Sequence, residues 1–284
     1  MKSNQSVDTY SALKKRLEHE PVIMGILNVT PDSFSDGGRY LKRNDALQHA
    51  LRLIEEGADI IDIGGESSRP GAEPVSDDEE MDRVIPVIQD IRANSDILLS
   101  IDTCKSSVAR AALETGVNWI NDVSGLRFDP EMPELARQYQ CPVVIMHMRG
   151  EPRTMQQNPS YTDVIGEVKS FFLERLTVLK SAGVSQVIID PGIGFGKRLE
   201  DNLRLLAHLG QLTLLNCPLM IGVSRKSFIG AITGQPVEDR EAGTLAASLW
   251  SYQQGVRIFR THSVRPLKVA LKIVKSISEN VNLT

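Results

Sequence analysis

Eight short runs of apolar residues alternate with longer stretches that mix polar and apolar positions. The runs are rich in Val, Ile and Leu, which is typical of strands that are buried on both faces of a parallel sheet. These runs span 22–27, 59–63, 97–101, 118–121, 142–147, 186–189, 218–223 and 256–259. The stretches after them have the spacing of amphipathic helices and span 43–56, 78–92, 105–115, 131–139, 162–182, 200–209, 239–254 and 264–279.

A strand followed by a helix, repeated eight times, predicts a closed (β/α)8 TIM barrel of the α/β class. An open, doubly wound sheet is the structural alternative. No segment is long, irregular and rich in Pro, Gly and Ser in the manner of a domain linker. We therefore expect a single barrel domain over 21–284, preceded by a short N-terminal extension over 1–20 that is helical and covers the bottom of the barrel.

The composition is that of an ordinary soluble protein, with 284 residues, 41% of them hydrophobic and 24% charged. The net charge of −4 and the absence of a Lys/Arg-rich run argue against a nucleic-acid partner. The first 20 residues lack the apolar centre of a signal peptide, and no apolar run is long enough to cross a membrane. Three widely spaced cysteines without a CxxC pair favour a cytoplasmic location.

Polar residues follow the predicted strands at the end where barrel enzymes carry their reactive groups. Each of the eight runs contains or leads to such a residue. They are Asn28, Asp62 with Glu66, Ser68 and Arg69 after it, Asp102, Asn121 with Asp122, His147, Asp190, Ser224 with Arg225 and Lys226, and Arg260 with His262. Helix capping could account for a few polar residues near strand ends but hardly for all eight, so we expect an active site here.

These residues fall into two chemical groups. Asp102, Asn121 and Asp190 offer carboxylate and amide atoms that suit a flat heterocycle with N–H donors at its edge. A second, cationic group suits phosphate or pyrophosphate. It consists of Arg69, Lys226, Arg260 and His262. The predicted substrate is therefore a hydrogen-bonding ring attached to a phosphorylated tail.

A glycine-rich segment, Gly192-Ile-Gly194-Phe-Gly196, lies just after the sixth run. It lacks the GxGxxG spacing and the following acid of a dinucleotide-binding loop. We expect its glycines to let the backbone approach a flat ligand instead.

Seven segments resemble, in the expected order, the signature motifs of the dihydropteroate synthase family. They are ILNVTPDSFSDGG (26–38), DIGGESSRPGA (62–72), SIDTCKSSVA (100–109), NDVSG (121–125), DPGIGFGK (190–197), GVSRKSFIG (222–230) and RTHSV (260–264). The resemblance covers 22–275 and implies a (β/α)8 barrel. It implies an enzyme of folate biosynthesis that joins p-aminobenzoate to 7,8-dihydropterin-6-ylmethyl pyrophosphate with the help of Mg²⁺. The products are 7,8-dihydropteroate and pyrophosphate. The family is the target of sulfonamides, and it implies a homodimer.

The resemblance also implies residue roles. The pterin ring would contact Asp102, Asn121, Met146, Asp190, Phe195 and Lys226. The pyrophosphate would contact Asn28, Ser68, Arg69, Arg260 and His262. The p-aminobenzoate would contact Phe34, Pro70 and Ser227, and Mg²⁺ would contact Asn28 and Asp36. The catalytic groups among these would be Asp102, Asp190, Lys226, Arg260 and His262.

Two positions depart from the family pattern. Ser68 stands where Thr is frequent, which preserves the hydroxyl. Ser263 stands where an Asp is usual, which puts any role of that acid in doubt.

Three other functions stay open from the sequence. A pterin-dependent methyltransferase would share the pterin pocket but should not need the NVTPDSFSDGG loop or the Arg260–His262 pair. A Schiff-base aldolase would use Lys226. A catalytically inactive pterin-binding paralogue would bind without turnover.

Overall fold

The computed structural model describes residues 3–30, 39–67 and 71–280. Its strands form one parallel sheet in the order β6-β5-β4-β3-β2-β1-β8-β7. The strands are β1 (Val22–Asn28), β2 (Ile60–Gly64), β3 (Leu98–Asp102), β4 (Trp119–Asp122), β5 (Val143–Met146), β6 (Val187–Asp190), β7 (Met220–Ile221) and β8 (Ile258–Thr261).

The two ends of this sheet meet. A parallel bridge joins Ile189 to Leu219, and the Ile189 N–H donates to the Pro218 carbonyl at 3.0 Å. Neighbouring strands follow the chain around the ring and close it, which is the order of a barrel and not of a doubly wound sheet. The predicted (β/α)8 barrel is therefore confirmed.

Helices separate the strands and pack around the outside of the barrel. They are α1 (Ser3–His19), α2 (Arg39–Glu55), α3 (Asp77–Asn94), α4 (Ser106–Glu114), α5 (Met132–Tyr139), α6 (Val164–Ser181), α7 (Leu199–Ala207), α8 (Gly210–Thr213), α9 (Ser227–Thr233), α10 (Glu241–Gln253) and α11 (Val264–Asn280). A single 3₁₀ turn, Val237–Asp239, precedes α10. The helices found in the described ranges include none long and apolar enough to cross a membrane.

The amphipathic pattern explains why these helices cover the barrel. In α3, for example, Val84, Val87, Ile88 and Ile91 are buried on one face. The Ser76 side chain accepts a hydrogen bond from the Glu79 N–H at 3.2 Å and so caps the start of this helix. Acidic residues fill the first turn, where the helix dipole favours negative charge.

The interior of the barrel is apolar at the amino-terminal ends of the strands. Inward side chains form a cluster there with Leu13 and Leu17 of α1. The cluster members from the strands are Val22, Met24, Ile60, Trp119, Val144, Ile188, Met220 and Ile258. The Tyr10 hydroxyl donates to the Val187 carbonyl at 3.1 Å. The helix α1 thus closes this end, and polar chemistry is confined to the other.

Most strands and helices differ from their predicted bounds by a few residues. Two differences have a clear physical cause. The seventh strand is limited to Met220–Ile221 instead of 218–223. Pro218 has no N–H to give to the ladder, and the chain turns at Val223, whose carbonyl accepts from the Lys226 N–H at 3.3 Å. The short helices α8 and α9 lie outside the predicted helix ranges, because each is too brief to show a full apolar period.

Candidate active site

The polar ends of the strands meet at the carboxyl-terminal mouth of the barrel. Asp102 on β3 aligns with Asn121 on β4, and Met146 on β5 aligns with Asp190 on β6. Asn28 ends β1. Because parallel strands in a barrel present alternate residues inward at matching levels, these side chains lie at the same end of the barrel.

Arg260 on β8 reaches across β1 to two carboxylates. Its Nε lies 2.6 Å from Asp62 Oδ2, and its Nη2 lies 2.7 Å from Asp102 Oδ2. Burial disfavours the guanidinium cation, but the two carboxylates hold the pKa of Arg260 above its ordinary value. The cationic and anionic groups expected from the sequence are therefore not separate, since Arg260 pairs directly with Asp102, a carboxylate expected to bind the ring.

Asp62 was expected among the polar residues at this end of the barrel but was assigned no role, and it organises the residues around it. Its Oδ2 also accepts a hydrogen bond from Asn121 Nδ2 at 2.9 Å, while its Oδ1 is buried without a hydrogen-bond partner among the described residues. The signal for Asp62 was a carboxylate inside the apolar run DIIDI. A fully buried charge is retained only when partners offset its desolvation.

Two carboxylates of the site resist ionisation. Burial, partly offset by Arg260, raises the pKa of Asp102 to about 7. Burial also raises the pKa of Asp190, although the Gly192 N–H donates to Asp190 Oδ1 at 2.7 Å and opposes the shift. Both groups gain from a ligand that brings N–H donors to their oxygens.

Lys226 joins the polar groups at the mouth of the barrel and lies beside an apolar wall. Its Nζ lies 4.0 Å from the centroid of the Phe195 ring, within the range of a cation–π contact. Burial and Arg260 lower the pKa of Lys226 to about 8. Phe195 packs with Met146, Met148 and Met155 in a small apolar cluster. A flat ring can thus meet apolar side chains on its face and charged groups on its edge.

The glycine-rich segment after β6 lies close to the loop after β5, and its predicted approach to a flat ligand stays a prediction. Gly192, Gly194 and Gly196 all have positive φ. A Cβ at Gly192 would lie 2.0 Å from the His147 carbonyl oxygen, and one at Gly196 would lie 2.3 Å from that of Arg149. The glycines thus allow a close approach to the loop after β5, not only to a ligand.

His262 lies beside the loop after β7. Its Nδ1 is 3.0 Å from Ser224 Oγ, and its main-chain N–H donates to the same oxygen at 3.2 Å. Ser224 therefore holds the imidazole of His262 beside the loop after β7. Ser263, the departure from the family motif, hydrogen-bonds through its hydroxyl to Glu241 at 3.3 Å and faces α10.

Oxygen donors for a cation meet above Gly64. A Cβ built on Gly64 would lie 3.7 Å from Asp102 Oδ2 and 3.8 Å from Asn28 Oδ1. The two oxygens therefore flank one small space at the mouth of the barrel. Amide and carboxylate oxygens are protein ligands that Mg²⁺ prefers. Asn28 Oδ1 therefore fits the expected ion, whereas Asp102 Oδ2 is already paired with Arg260 Nη2 at 2.7 Å. The described part of the chain holds no cluster of three or more His, Cys, Asp or Glu that would form a complete metal site, so the substrate or water would have to supply the remaining ligands.

Five of the predicted site residues lie outside the described residues. They are Phe34, Asp36, Ser68, Arg69 and Pro70. Ser227 is described; it is exposed and begins α9 directly after Lys226.

Comparison with known proteins agrees with this geometry. The family model described as pterin binding enzyme matches residues 24–262. The dihydropteroate synthase of Synechocystis is 46% identical over 258 residues, which cover 90% of this chain and 89% of the relative. The chain belongs to the dihydropteroate synthase family of pterin-binding enzymes.

Solved structures support the same membership. A Xanthomonas albilineans dihydropteroate synthase with 4-aminobenzoic acid has a TM-score of 0.86 and 46% identity, covering 91% of this chain and 93% of that one. A structure from the same organism with 7,8-dihydropteroate has a TM-score of 0.83 and 43% identity, covering 91% and 94%. Membership in this family favours the synthase over the methyltransferase and aldolase alternatives.

Proposed function

We propose that this enzyme joins p-aminobenzoate to 7,8-dihydropterin-6-ylmethyl pyrophosphate and releases pyrophosphate. One observation carries the proposal: two buried carboxylates, a lysine and an arginine converge beside an apolar wall at the mouth of a barrel. The Xanthomonas relative solved with 7,8-dihydropteroate supports the identity of the product.

The pterin would lie between Met146 and Phe195, with its polar edge toward Asp102, Asn121 and Asp190. Carboxylates accept the ring N–H groups, and the Asn121 amide can both donate and accept. Lys226, beside Phe195, would donate to a ring nitrogen or carbonyl oxygen. The raised pKa values of Asp102 and Asp190 favour this arrangement. Burial disfavours each carboxylate anion, and N–H donors from the ring would stabilise it.

The pyrophosphate would lie over Arg260 and His262. Ser68, Arg69 and Asn28 would add contacts as the sequence motifs imply. Arginine is suited to this task since its planar guanidinium can bind two phosphate oxygens at once. Asn28 and Asp36 would hold Mg²⁺ against the pyrophosphate, and the ion would neutralise part of the charge on the leaving group.

The reaction would be a dissociative substitution at the pterin methylene. The C–O bond breaks, the electron pair leaves with pyrophosphate, and the cation that remains is delocalised into the dihydropterin. Asp102 and Asp190 stabilise this cation, and Arg260 and His262 stabilise the departing oxygens. The amine of p-aminobenzoate, aligned by Phe34, Pro70 and Ser227, then forms the C–N bond and loses a proton. An arylamine is neutral at pH 7, so the step needs no strong base.

The test is pyrophosphate release in the presence of both substrates and Mg²⁺, with each omitted in turn. Release that requires all three, together with dihydropteroate in the product, is expected. Tight binding of the pterin pyrophosphate without release would overturn the proposal and identify the inactive paralogue.

We also propose that the enzyme is a cytoplasmic homodimer. Val269, Ile273 and Ile277 are spaced four residues apart on α11 and are each more than half exposed. Trp250 on α10 is about half exposed. An apolar stripe of this kind marks an interaction surface, and light scattering should give twice the mass of 31.4 kDa. A monomer that persists at assay concentration would contradict the dimer.

A further inference from the structure

Lys197 has a buried side-chain amine behind the apolar wall of the site, and burial lowers the pKa of this amine to about 7. Its side chain is 3% exposed. Its Nζ lies 2.9 Å from His147 Nδ1, 3.2 Å from the His147 carbonyl, 2.9 Å from the Gly192 carbonyl and 3.1 Å from the Phe195 carbonyl. The ammonium therefore ties the loop after β5 to the glycine-rich segment after β6.

The histidine in this contact acts as an acceptor. Burial, with Lys197 next in importance, lowers the pKa of His147 to about 2. The imidazole is neutral, and Nδ1 can receive a hydrogen from the ammonium. The Phe171 ring packs edge-on against it, with 5.0 Å between the ring centroids. The imidazole of His147 is thus held in place by Lys197 and Phe171.

The segments that Lys197 joins are those that carry the ring-binding groups. Gly192 uses its N–H to hold Asp190 Oδ1 at 2.7 Å and its carbonyl to bind Lys197. Phe195 presents its ring to Lys226 while its own carbonyl binds Lys197. The His147 N–H donates to the main-chain carbonyl of Asp190 at 2.9 Å.

The need for a hydrogen-bond donor here follows from the backbone geometry. Gly192 and Gly196 bring the two loops so close that a Cβ would collide with the carbonyl oxygens of His147 and Arg149. Such an approach leaves several carbonyl oxygens pointing inward, where an unpaired acceptor is costly. An ammonium has three hydrogens, which Lys197 shares among the three carbonyls and His147 Nδ1.

We propose that Lys197 is a positioning residue for the pterin: by holding the Gly192 and Phe195 carbonyls, it fixes the Asp190 carboxylate and the Phe195 ring that receive the ring system. Lys197 itself does not touch the substrate. The inference rests on the proposed function, and it predicts that Lys197 affects the binding of one substrate and not of the other. Loss of Lys197 should weaken binding of the pterin substrate. Binding of p-aminobenzoate, which is expected to occur elsewhere at the mouth, should be almost unaffected.

The experiment compares KM for each substrate in the full-length enzyme and in Lys197→Met. Methionine is unbranched and only one heavy atom shorter than lysine, but it donates no hydrogen bond. We expect KM for the pterin pyrophosphate to rise about tenfold, the effect of losing one well-made hydrogen bond, and KM for p-aminobenzoate to change by less than a factor of about two. Lys180→Met, at an exposed position on α6, is the control and should change neither value.

A lower kcat with both KM values unchanged would overturn the inference, because it would mean that Lys197 affects only the fraction of folded enzyme. An equal rise in both KM values would also overturn it, because it would mean that Lys197 supports the whole site and not the pterin in particular. Failure of the wild-type enzyme to release pyrophosphate would instead count against the proposed function.

If Lys197→Met does not fold, His147→Phe tests the same contact. This variant removes one acceptor and keeps the ammonium with its three carbonyls. We expect a smaller rise in KM for the pterin pyrophosphate and in the Kd for 6-hydroxymethyl-7,8-dihydropterin. KM for p-aminobenzoate should again stay unchanged. Unchanged pterin binding in His147→Phe would overturn the inference.

Discussion

The guanidinium of Arg260 and the carboxylate of Asp62 form a buried ion pair, with 2.6 Å between Nε and Oδ2. The pair joins β8 to β2 above the strand that separates them. Because Arg260 uses a second nitrogen for another carboxylate, its orientation is set before any substrate arrives. Such preorganised charge stabilises a transition state without reorganisation at the moment of reaction.

Replacing Arg260 by alanine should lower kcat/KM by about a hundredfold. The loss corresponds to about 3 kcal/mol, the usual effect of removing one group that stabilises developing charge. Steady-state assays of pyrophosphate release will measure it. Arg137→Ala, at an exposed position on α5, is the matched control and should keep wild-type activity. A value near wild type for Arg260→Ala would remove this residue from the mechanism.

Asp62→Asn should destabilise the fold by about 3 kcal/mol. The substitution keeps the shape of the side chain but leaves Arg260 with a weaker partner in a buried place, and breaking one side of a buried pair carries a cost of this order. Urea unfolding followed by tryptophan fluorescence gives the free energy of unfolding. Glu134→Gln breaks the exposed pair with Arg137 and should leave the midpoint unchanged. Equal midpoints for both variants would show that the buried pair adds no stability.

The barrel could be predicted from the sequence because its signal is repeated. Each strand run such as VIMGIL is buried on both faces, and each following helix shows its own apolar stripe. Asp102 and Asp190 were predictable as well, since each ends a strand and barrel chemistry concentrates there.

Contacts between distant elements were not predictable from single positions. Asp62 lies within a strand, and only the fold brings it to Arg260, which is 198 residues away. Lys197 ends one of the sequence motifs, but no role could be predicted for it. Most of its partners are main-chain carbonyls, which cannot be identified from the side chains in the sequence. The predicted range of the seventh strand was too long, because an apolar run does not show where the strand ends and the chain turns.

The pH profile of kcat/KM for the pterin pyrophosphate should be bell-shaped, with limbs near pH 7 and pH 8. Burial raises the pKa of Asp102 to about 7, so protonation below that pH removes an acceptor for the ring. Burial lowers the pKa of Lys226 to about 8, so its charge is lost above that pH. Activity therefore falls on both sides. Asp102→Asn should abolish the acid limb while the alkaline limb persists. An unchanged acid limb in this variant would assign that titration to another group.

Gly192→Ala should lower the free energy of unfolding by about 2 kcal/mol more than Gly234→Ala. Both glycines have positive φ, 66° and 74°, so both variants bear the strain of a left-handed alanine. Only at Gly192 would the new Cβ meet an atom, the His147 carbonyl oxygen at 2.0 Å; at Gly234 nothing lies within 4 Å. The difference isolates the cost of overpacking, which is typically about 1–3 kcal/mol. Urea unfolding of the two variants measures it, and equal losses would show that the two loops can separate without cost.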